Sequence, residues 1–406
     1  MSGTLSPPVR ARWIDRAARA AVLGRLQGLR DGRLEIVEPG GSTVLGDPAS
    51  PLRATLEVLH PGFWSDAAFR GSVGAGESYV EGRWAADDLT ALVRILARNR
   101  EVLDGLETGL ARLGAPALRA FHALRANTVA GSRRNIAAHY DLGDDFFALF
   151  LDPTLSYSCA IYGSGEESLE QAQVAKVERA LGRLGLGPSH HLLEIGTGWG
   201  FLAVHAASRY GCRVTTTTIS ERQHAYATER VARAGLADRV NVIRRDWRDL
   251  EGRYDRLVSI EMVEAIGWRL LPPFFRKCAA LLAPGGSALV QSITIDDALY
   301  ERARRSVDFI QRYVFPGSCI PSRGSIERAL EGTGLRIAAA EEIGPHYART
   351  LREWRLRLLS RAAEARALGF DGRAIRLWEF YFAYCEGGFE ERALGDAQFL
   401  LAGPGA

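Results

Sequence analysis

Residues 191–200 read HLLEIGTGWG, and the reading of this stretch decides the fold. A short apolar run, HLLEI, leads into Gly196, Gly198 and Gly200, and a helical pattern follows. Strand, glycine loop and helix in that order let the backbone approach a ligand, with the N–H groups of the helix start turned toward it. The third glycine comes one residue too early for the dinucleotide pattern GxGxxG, and Trp199 intervenes, so a phosphate cradle is disfavoured. Outward from the loop, RVTTTTI (213–219), VNVIRRD (240–246), DRLVSIE (255–261) and SALVQSIT (287–294) read as strands. Between them, ERQHAYATERVARAG (221–235) and LPPFFRKCAALLAP (271–284) read as helices. This alternation implies a parallel sheet wrapped by helices, a Rossmann-like α/β fold.

The run E-x-G-x-G-x-G at 194–200 resembles the first motif of S-adenosylmethionine-dependent methyltransferases, whose loop faces the methionine part of the cofactor. That resemblance makes Glu194, Gly196, Gly198 and Gly200 candidate cofactor residues; read alone, the loop is also compatible with a tight turn. The second strand ends in TTISERQ, where Thr218 and Gln223 can bond ribose hydroxyls without charge. The third ends in RRDWRD, where Asp246 can accept from adenine and Trp247 can stack on it; the plainer reading of Trp247 is a core residue at a strand end.

The chain has 406 residues, 47% of them apolar, enough for two or three cored domains. No apolar run approaches the ~20 residues that span a bilayer, and the start lacks a signal-type apolar core, reading instead as an amphipathic helix. Five scattered cysteines form no CxxC pair, so neither a disulfide framework nor a metal site is indicated and a reducing cytoplasm fits. A net charge of +3 speaks against a nucleic-acid partner. The first third, with RLEIVEP (33–39) and ATLEVLH (54–60) as strands, reads as a small N-terminal α+β module over 1–130. GSRRN (131–135) is the linker, and a catalytic domain fills 131–406. From Thr108 to Tyr140 there is no acid but five arginines, with leucines and Phe121 at helical spacing. Two readings are open: a basic helix lying on an anionic bilayer, or one packed on the next domain.

Several segments together resemble the cyclopropane-fatty-acyl-phospholipid synthases and their mycolic-acid relatives. They are HYDLGDDFFALFLDPTLSYSCAIY (139–162), LLEIGTGWG, TTISERQ, DWRD, FIQRYVFPGSCIPS (309–322), GPHYARTL (344–351), RLWEFYFAYCEGGFEERALGDAQ (376–398) and, more loosely, GSVGAGESYVEGRW (71–84). The resemblance implies a methyltransferase sheet with helical lipid-binding insertions. It implies S-adenosylmethionine as cofactor, a cis-unsaturated phospholipid acyl chain as substrate and a cyclopropane as product. It implies further a bound bicarbonate as base, ringed by His139, Cys159, Glu264 and Tyr347, with Tyr157 and Ser158 at the cofactor's amino-acid end. A homodimer, attached peripherally to the inner face of the membrane, is also implied. Such chemistry needs a dry pocket with aromatic faces against a carbocation, for which Trp378, Tyr381 and Phe382 of the late run are candidates. Cys159 then borders the methyl; no basic partner marks it as a nucleophile.

Two positions depart from the commonest pattern of that family. Glu261 stands where a small residue is usual and is assigned a structural or cofactor-side role. Gln291 stands where histidine is usual. A neutral amide donor is worth about 1 kcal/mol less to an anion than a charged one, which loosens bicarbonate without abolishing its binding. EMVEAIG with QSIT resembles a branch that includes both cyclopropane synthases and enzymes making methyl-branched acids, so the alternative product is a methylene- or methyl-branched chain, the saturated form requiring a separate reductase.

Overall fold

The computed structural model describes residues 11–108 and 143–403, and the chain divides into two compact units. One is Met1–Phe121 with Ala365–Glu391; the other is His122–Glu364 with Arg392–Ala406. The acid-free segment and His139 lie outside the described residues. No described helix is long and apolar enough to cross a membrane.

The first unit holds a four-stranded sheet of β1 (Arg33–Glu38), β2 (Gly41–Gly46), β3 (Arg53–Val58) and β4 (Trp84–Ala86) in the order β2-β1-β3-β4. The β1–β3 pair is parallel and the other two pairs are antiparallel. Alternation puts Leu34, Ile36, Ala54, Leu56 and Val58 on the buried face. Helix Gly372–Glu390, expected in the catalytic domain, belongs to this unit, and it packs on helices Gly62–Val80 and Leu89–Arg98. Its aromatics Trp378, Phe380, Tyr381 and Phe382 are buried, Glu386 accepts from Thr90 Oγ1 at 3.1 Å, and Glu379 accepts from Tyr79 Oη at 2.8 Å.

Gly387 lets that helix approach Leu89–Arg98. A Cβ there would stand 2.7 Å from Val93 Cγ1 and 2.9 Å from Val93 Cβ. Val93 is β-branched and stiff, so the roughly 1 kcal/mol of helix propensity gained by alanine is outweighed by overpacking of about 1–3 kcal/mol. Gly387→Ala therefore lowers the denaturation midpoint; a rise would show that the helices separate without cost.

The second unit carries a seven-stranded sheet. Its strands are β5 (His191–Ile195), β6 (Arg213–Thr218), β7 (Val240–Arg244), β8 (Tyr254–Ile260), β9 (Leu282–Ile295), β10 (Arg336–Glu342) and β11 (Leu394–Ala402), in the order β10-β11-β9-β8-β5-β6-β7. Strands β5 to β9 are parallel, as expected; β11 runs antiparallel to both β9 and β10, so the sheet is mixed. Apolar cores on its faces hold Leu193, Leu257, Phe274 and Val290, and Leu192, Ala203, Val258 and Leu289. The chain leaves β5 toward β6 on one side and returns on the other side as β8, so a crevice opens at the carboxyl ends of β5 and β8, where open α/β sheets bind ligands.

Candidate active site

The glycine loop closes β5 at that switch point. Gly196, Gly198 and Gly200 have φ of 106°, 52° and 82°, in the region L side chains avoid. The N–H groups of Gly196 and Thr197 donate to Thr217 O at 3.1 and 3.0 Å, fastening the loop to the end of β6. A Cβ at Gly198 would meet nothing within 4 Å, so this face of the loop is open, whereas one at Gly200 would stand 2.9 Å from Ala227 Cβ. Beneath the loop, buried Glu194 accepts from Thr216 Oγ1 at 2.5 Å, and burial pushes its carboxyl up to about 8. Trp199, the residue that breaks the dinucleotide pattern, donates from Nε1 to Asp144 Oδ1 at 2.9 Å and packs on Phe147. It pins the segment ahead of the sheet to the loop.

The other expected cofactor residues lie at the neighbouring strand ends. Thr218 Oγ1 donates to Gln223 Oε1 at 2.9 Å, both side chains being buried. Asp246 is buried and holds Arg248 through both carboxylate oxygens, at 2.8 and 2.6 Å. Trp247 is buried and packs edge-on to Phe274. An open-faced glycine loop, a buried carboxyl below it and hydrogen-bonding pairs at the next two strand ends fit an amino-acid, ribose and adenine ligand in that order, as S-adenosylmethionine requires.

A knot of polar side chains forms beside this crevice, and Glu261 is at its centre. Its Oε1 accepts from Cys159 N and from Gln291 Nε2, both at 2.8 Å, and its Oε2 accepts from Tyr347 Oη at 2.6 Å. Its φ is 47°, left-handed for a residue with a Cβ, a conformation that costs about 1–3 kcal/mol. Gln291 is fully buried on β9. It gives a second, longer bond to Asp396 Oδ2 at 3.3 Å and accepts from Gln398 Nε2 at 3.1 Å. Glu264, on the turn Val263–Ile266, accepts at Oε1 from Ile293 N at 2.5 Å and Ser292 Oγ at 3.0 Å, while its Oε2 is buried without a hydrogen-bond partner among the described residues. Burial, and then the charge of Glu261, push the Glu264 carboxyl up to about 8; Asp396 is raised well above the carboxylate range by burial first and the same neighbour second.

Cys159 lies in this knot, with its thiol wholly buried 3.6 Å from Ile343 O. Burial, with Asp396 and Glu261 nearby, pushes the thiol well above its usual range, which disfavours the thiolate that a nucleophile needs. Ser158 Oγ accepts from Lys176 Nζ at 2.7 Å. Sequence reading passed over Lys176, one of two lysines in the chain, because a lone lysine in a helical pattern reads as surface. It is buried, which pulls its ammonium below the usual range against the opposing pull of Glu261 and other acids. Gln398 and Asp396 were passed over for a similar reason, since β11 went unrecognised.

Tyr157, expected at the cofactor's amino-acid end, belongs to an aromatic cage. Its ring centroid lies 5.2 Å from Trp354, 5.5 Å from Phe147, 6.1 Å from Phe150 and 6.3 Å from Phe315. Trp354 also meets Tyr347 edge-on at 6.0 Å. Trp378, Tyr381 and Phe382, the candidates from the sequence, are buried in the first unit.

Bicarbonate does not fit the knot that the described residues form. Three of the groups that the resemblance assigns to it, on Cys159, Tyr347 and Gln291, already donate to the Glu261 carboxylate. A second anion would find its donors spent and a like charge beside it. Glu261, assigned a structural or cofactor-side role from sequence, is the residue that makes the difference.

Residues 128–399 match the family model of mycolic acid cyclopropane synthetase. The tuberculostearic acid methyltransferase UfaA1 of Mycobacterium tuberculosis is 38% identical over 397 residues, 95% of this chain and 92% of that one. The cyclopropane-fatty-acyl-phospholipid synthase of Escherichia coli is 33% identical over 361 residues, 88% and 89% of the two chains. Among solved structures, the cyclopropane synthase MmaA2 from M. tuberculosis superposes with a TM-score of 0.63 at 33% identity, over 66% of this chain and 98% of that one. The mycolic acid cyclopropane synthase CmaA1, in complex with SAH and CTAB, gives 0.61 at 32% over the same shares. An open glycine loop at the switch point, an acidic knot beside it and these likenesses have one common explanation: the chain belongs to the mycolic acid cyclopropane synthetase family of S-adenosylmethionine-dependent methyltransferases that modify fatty acyl chains.

Proposed function

We propose that this enzyme methylates the double bond of an unsaturated phospholipid acyl chain and yields a methylene-branched chain, the precursor of a methyl-branched one. The observation that carries this reading is the likeness to a tuberculostearic acid methyltransferase over 95% of the chain. It favours the branched product over the cyclopropane that the sequence placed first.

Bound at the glycine loop, S-adenosylmethionine supplies an electrophilic methyl group. Glu194, Gly196 and Gly198 would hold its amino-acid end, Thr218 and Gln223 its ribose, and Asp246 and Trp247 its adenine; Asp246 has lone pairs left after Arg248 for one more donor. The remaining work falls to the chain's own side chains. A methylated acyl chain carries a carbocation, and the cage of Phe147, Phe150, Tyr157, Phe315 and Trp354 keeps water from it and presents ring faces worth up to ~2 kcal/mol to a desolvated cation. A hydride shift along the acyl chain, followed by loss of a proton from the new methyl, gives the methylene. Loss of that proton without the shift closes the cyclopropane. Glu264, neutral at pH 7 with its carboxyl raised to about 8, adds no second negative charge beside Glu261 and holds a proton at the edge of the knot.

Expression in a bacterium without its own synthase, followed by gas chromatography and proton NMR of the lipid fatty acids, tests the reading. Vinylidene protons are the expected result. Upfield cyclopropyl protons would overturn the branched product. Mass does not discriminate, because both products add one CH₂.

A further inference from the structure

We propose that Glu261 is the built-in base of this enzyme and that no bound anion takes part. The inference rests on the acyl-chain methylation proposed above, whichever product follows.

Three donors from three separate elements converge on one carboxylate: the amide of Cys159 ahead of the sheet, the side-chain amide of Gln291 on β9, and the hydroxyl of Tyr347 on the helix Gly344–Ser360. That set of donors suits a planar anion with two accepting oxygens, and here the chain supplies the anion itself. Its orientation is fixed from behind. Gln398 donates to Gln291 Oε1, which turns the Gln291 NH₂ toward Glu261 and Asp396. Gln291 and Cys159 are wholly buried, whereas Glu261 is only partly so and is the member of the knot with an outward side. The next residue, Met262, lies against Gly196, 3.5 Å from where a Cβ on that glycine would stand. The carboxylate therefore sits at the carboxyl end of β8, next to the loop that presents the methyl group. The left-handed φ of 47° is a strained conformation that glycine would relieve, and the chain keeps a glutamate there.

In the step proposed, a C–H bond of the methyl group on the acyl cation breaks. Its proton passes to a Glu261 carboxylate oxygen, and its electron pair becomes the π bond of the methylene after the hydride shift, or the third ring bond of a cyclopropane without it. The proton then leaves to solvent from the partly exposed side.

The competing view is that Glu261 only ties the Ser156–Tyr162 segment to the sheet. Three proteins separate the two: the wild type, Glu261→Gln and Glu261→Gly. Each is assayed for S-adenosylhomocysteine release on phospholipid vesicles with unsaturated acyl chains, in CO₂-free buffer and with millimolar bicarbonate or formate. Each is also examined for broadening of the ¹³C-bicarbonate NMR signal. The wild type is expected to turn over equally with and without bicarbonate and to leave its signal sharp. Glu261→Gln, which keeps an oxygen for the donors, loses about 100-fold or more and is not rescued. Glu261→Gly loses as much, regains at least about tenfold with bicarbonate or formate, and broadens the bicarbonate signal. A wild type that slows when CO₂ is removed, or that broadens the signal, would overturn the proposal in favour of a bound anion. An active Glu261→Gln would leave only the tie. S-Adenosylhomocysteine counts every methyl transferred, so a cyclopropane in the lipid would sink the branched-product reading without touching this one.

Discussion

Glu264→Gln removes the alkaline limb of the pH–rate profile and keeps methyl transfer near the wild-type rate at pH 7, with the fold intact. The physical reason lies in how the Glu264 carboxyl is held. Oε1 is committed to two donors, Ile293 N and Ser292 Oγ, so the proton that the group retains at neutral pH resides on Oε2. Burial without a partner for that atom, together with the charge of Glu261, raises the group from its ordinary 4.5 to about 8. Above about pH 8 the wild type loses this proton and gains a second charge beside Glu261, and the rate falls.

Stability follows the same proton. The folded state binds it more tightly than the unfolded chain, so its contribution is full below about 4.5 and is lost as pH rises toward 8. Glu194, also raised to about 8, adds to the same slope. Glutamine at 264 keeps an acceptor for Ile293 and Ser292 but cannot ionise. Denaturation curves at pH 5 and pH 8 should therefore lie closer together in the variant than in the wild type. A variant with the wild-type pH–rate profile would remove Glu264 from the reaction.

Gly198→Val weakens binding of S-adenosylmethionine by about 100-fold, or about 2.8 kcal/mol at 1.4 kcal/mol per decade. The same loop supplies its own control. At Gly198 the space around a Cβ is open, so the valine side chain fills the face where the ligand approaches. The strain of φ 52° costs the fold about 1–2 kcal/mol. At Gly200 a Cβ collides with Ala227, so Gly200→Ala carries both strain and overlap and is the more damaging to stability. Calorimetric titration with the cofactor and thermal melts of both variants check the pair. Equal loss of affinity and stability at the two positions would mean that the loop is only a turn.

Much of the second unit was legible in the chain. Parallel strands β5 to β9 are continuous, β-branched or apolar runs that end at glycine or at polar clusters, because strands buried on both faces leave no room for alternation. Glycines at 196, 198 and 200 were legible too, since only that residue adopts their backbone without strain. Strands β10 and β11 were not. RIAAAEE in β10 is built from residues that favour helix and lies exposed at the sheet edge, and LGDAQFLLA in β11 carries an aspartate and a glutamine that read as loop. Burial beside β9 turns those two polar residues into parts of the site.

The same division explains the knot. Sequence by itself brought out Cys159, Glu264, Tyr347 and Gln291, each in a local motif whose neighbours are close in the chain, and it determined the fold class and the family. It left Glu261 as a side issue, Lys176 and Asp396 unseen, and the aromatic helix Gly372–Glu390 in the wrong unit. What those residues do depends on partners 30 to 105 positions away: Gln291 from Glu261 by 30, Tyr347 by 86, Cys159 by 102, and Asp396 from Gln291 by 105. Hydrogen bonds act over about 3 Å in space and carry no trace along the chain. Only the packing of β8, β9, β11 and the helix after β10 therefore decided which carboxylate gathers the donors and which carboxyls are buried behind it.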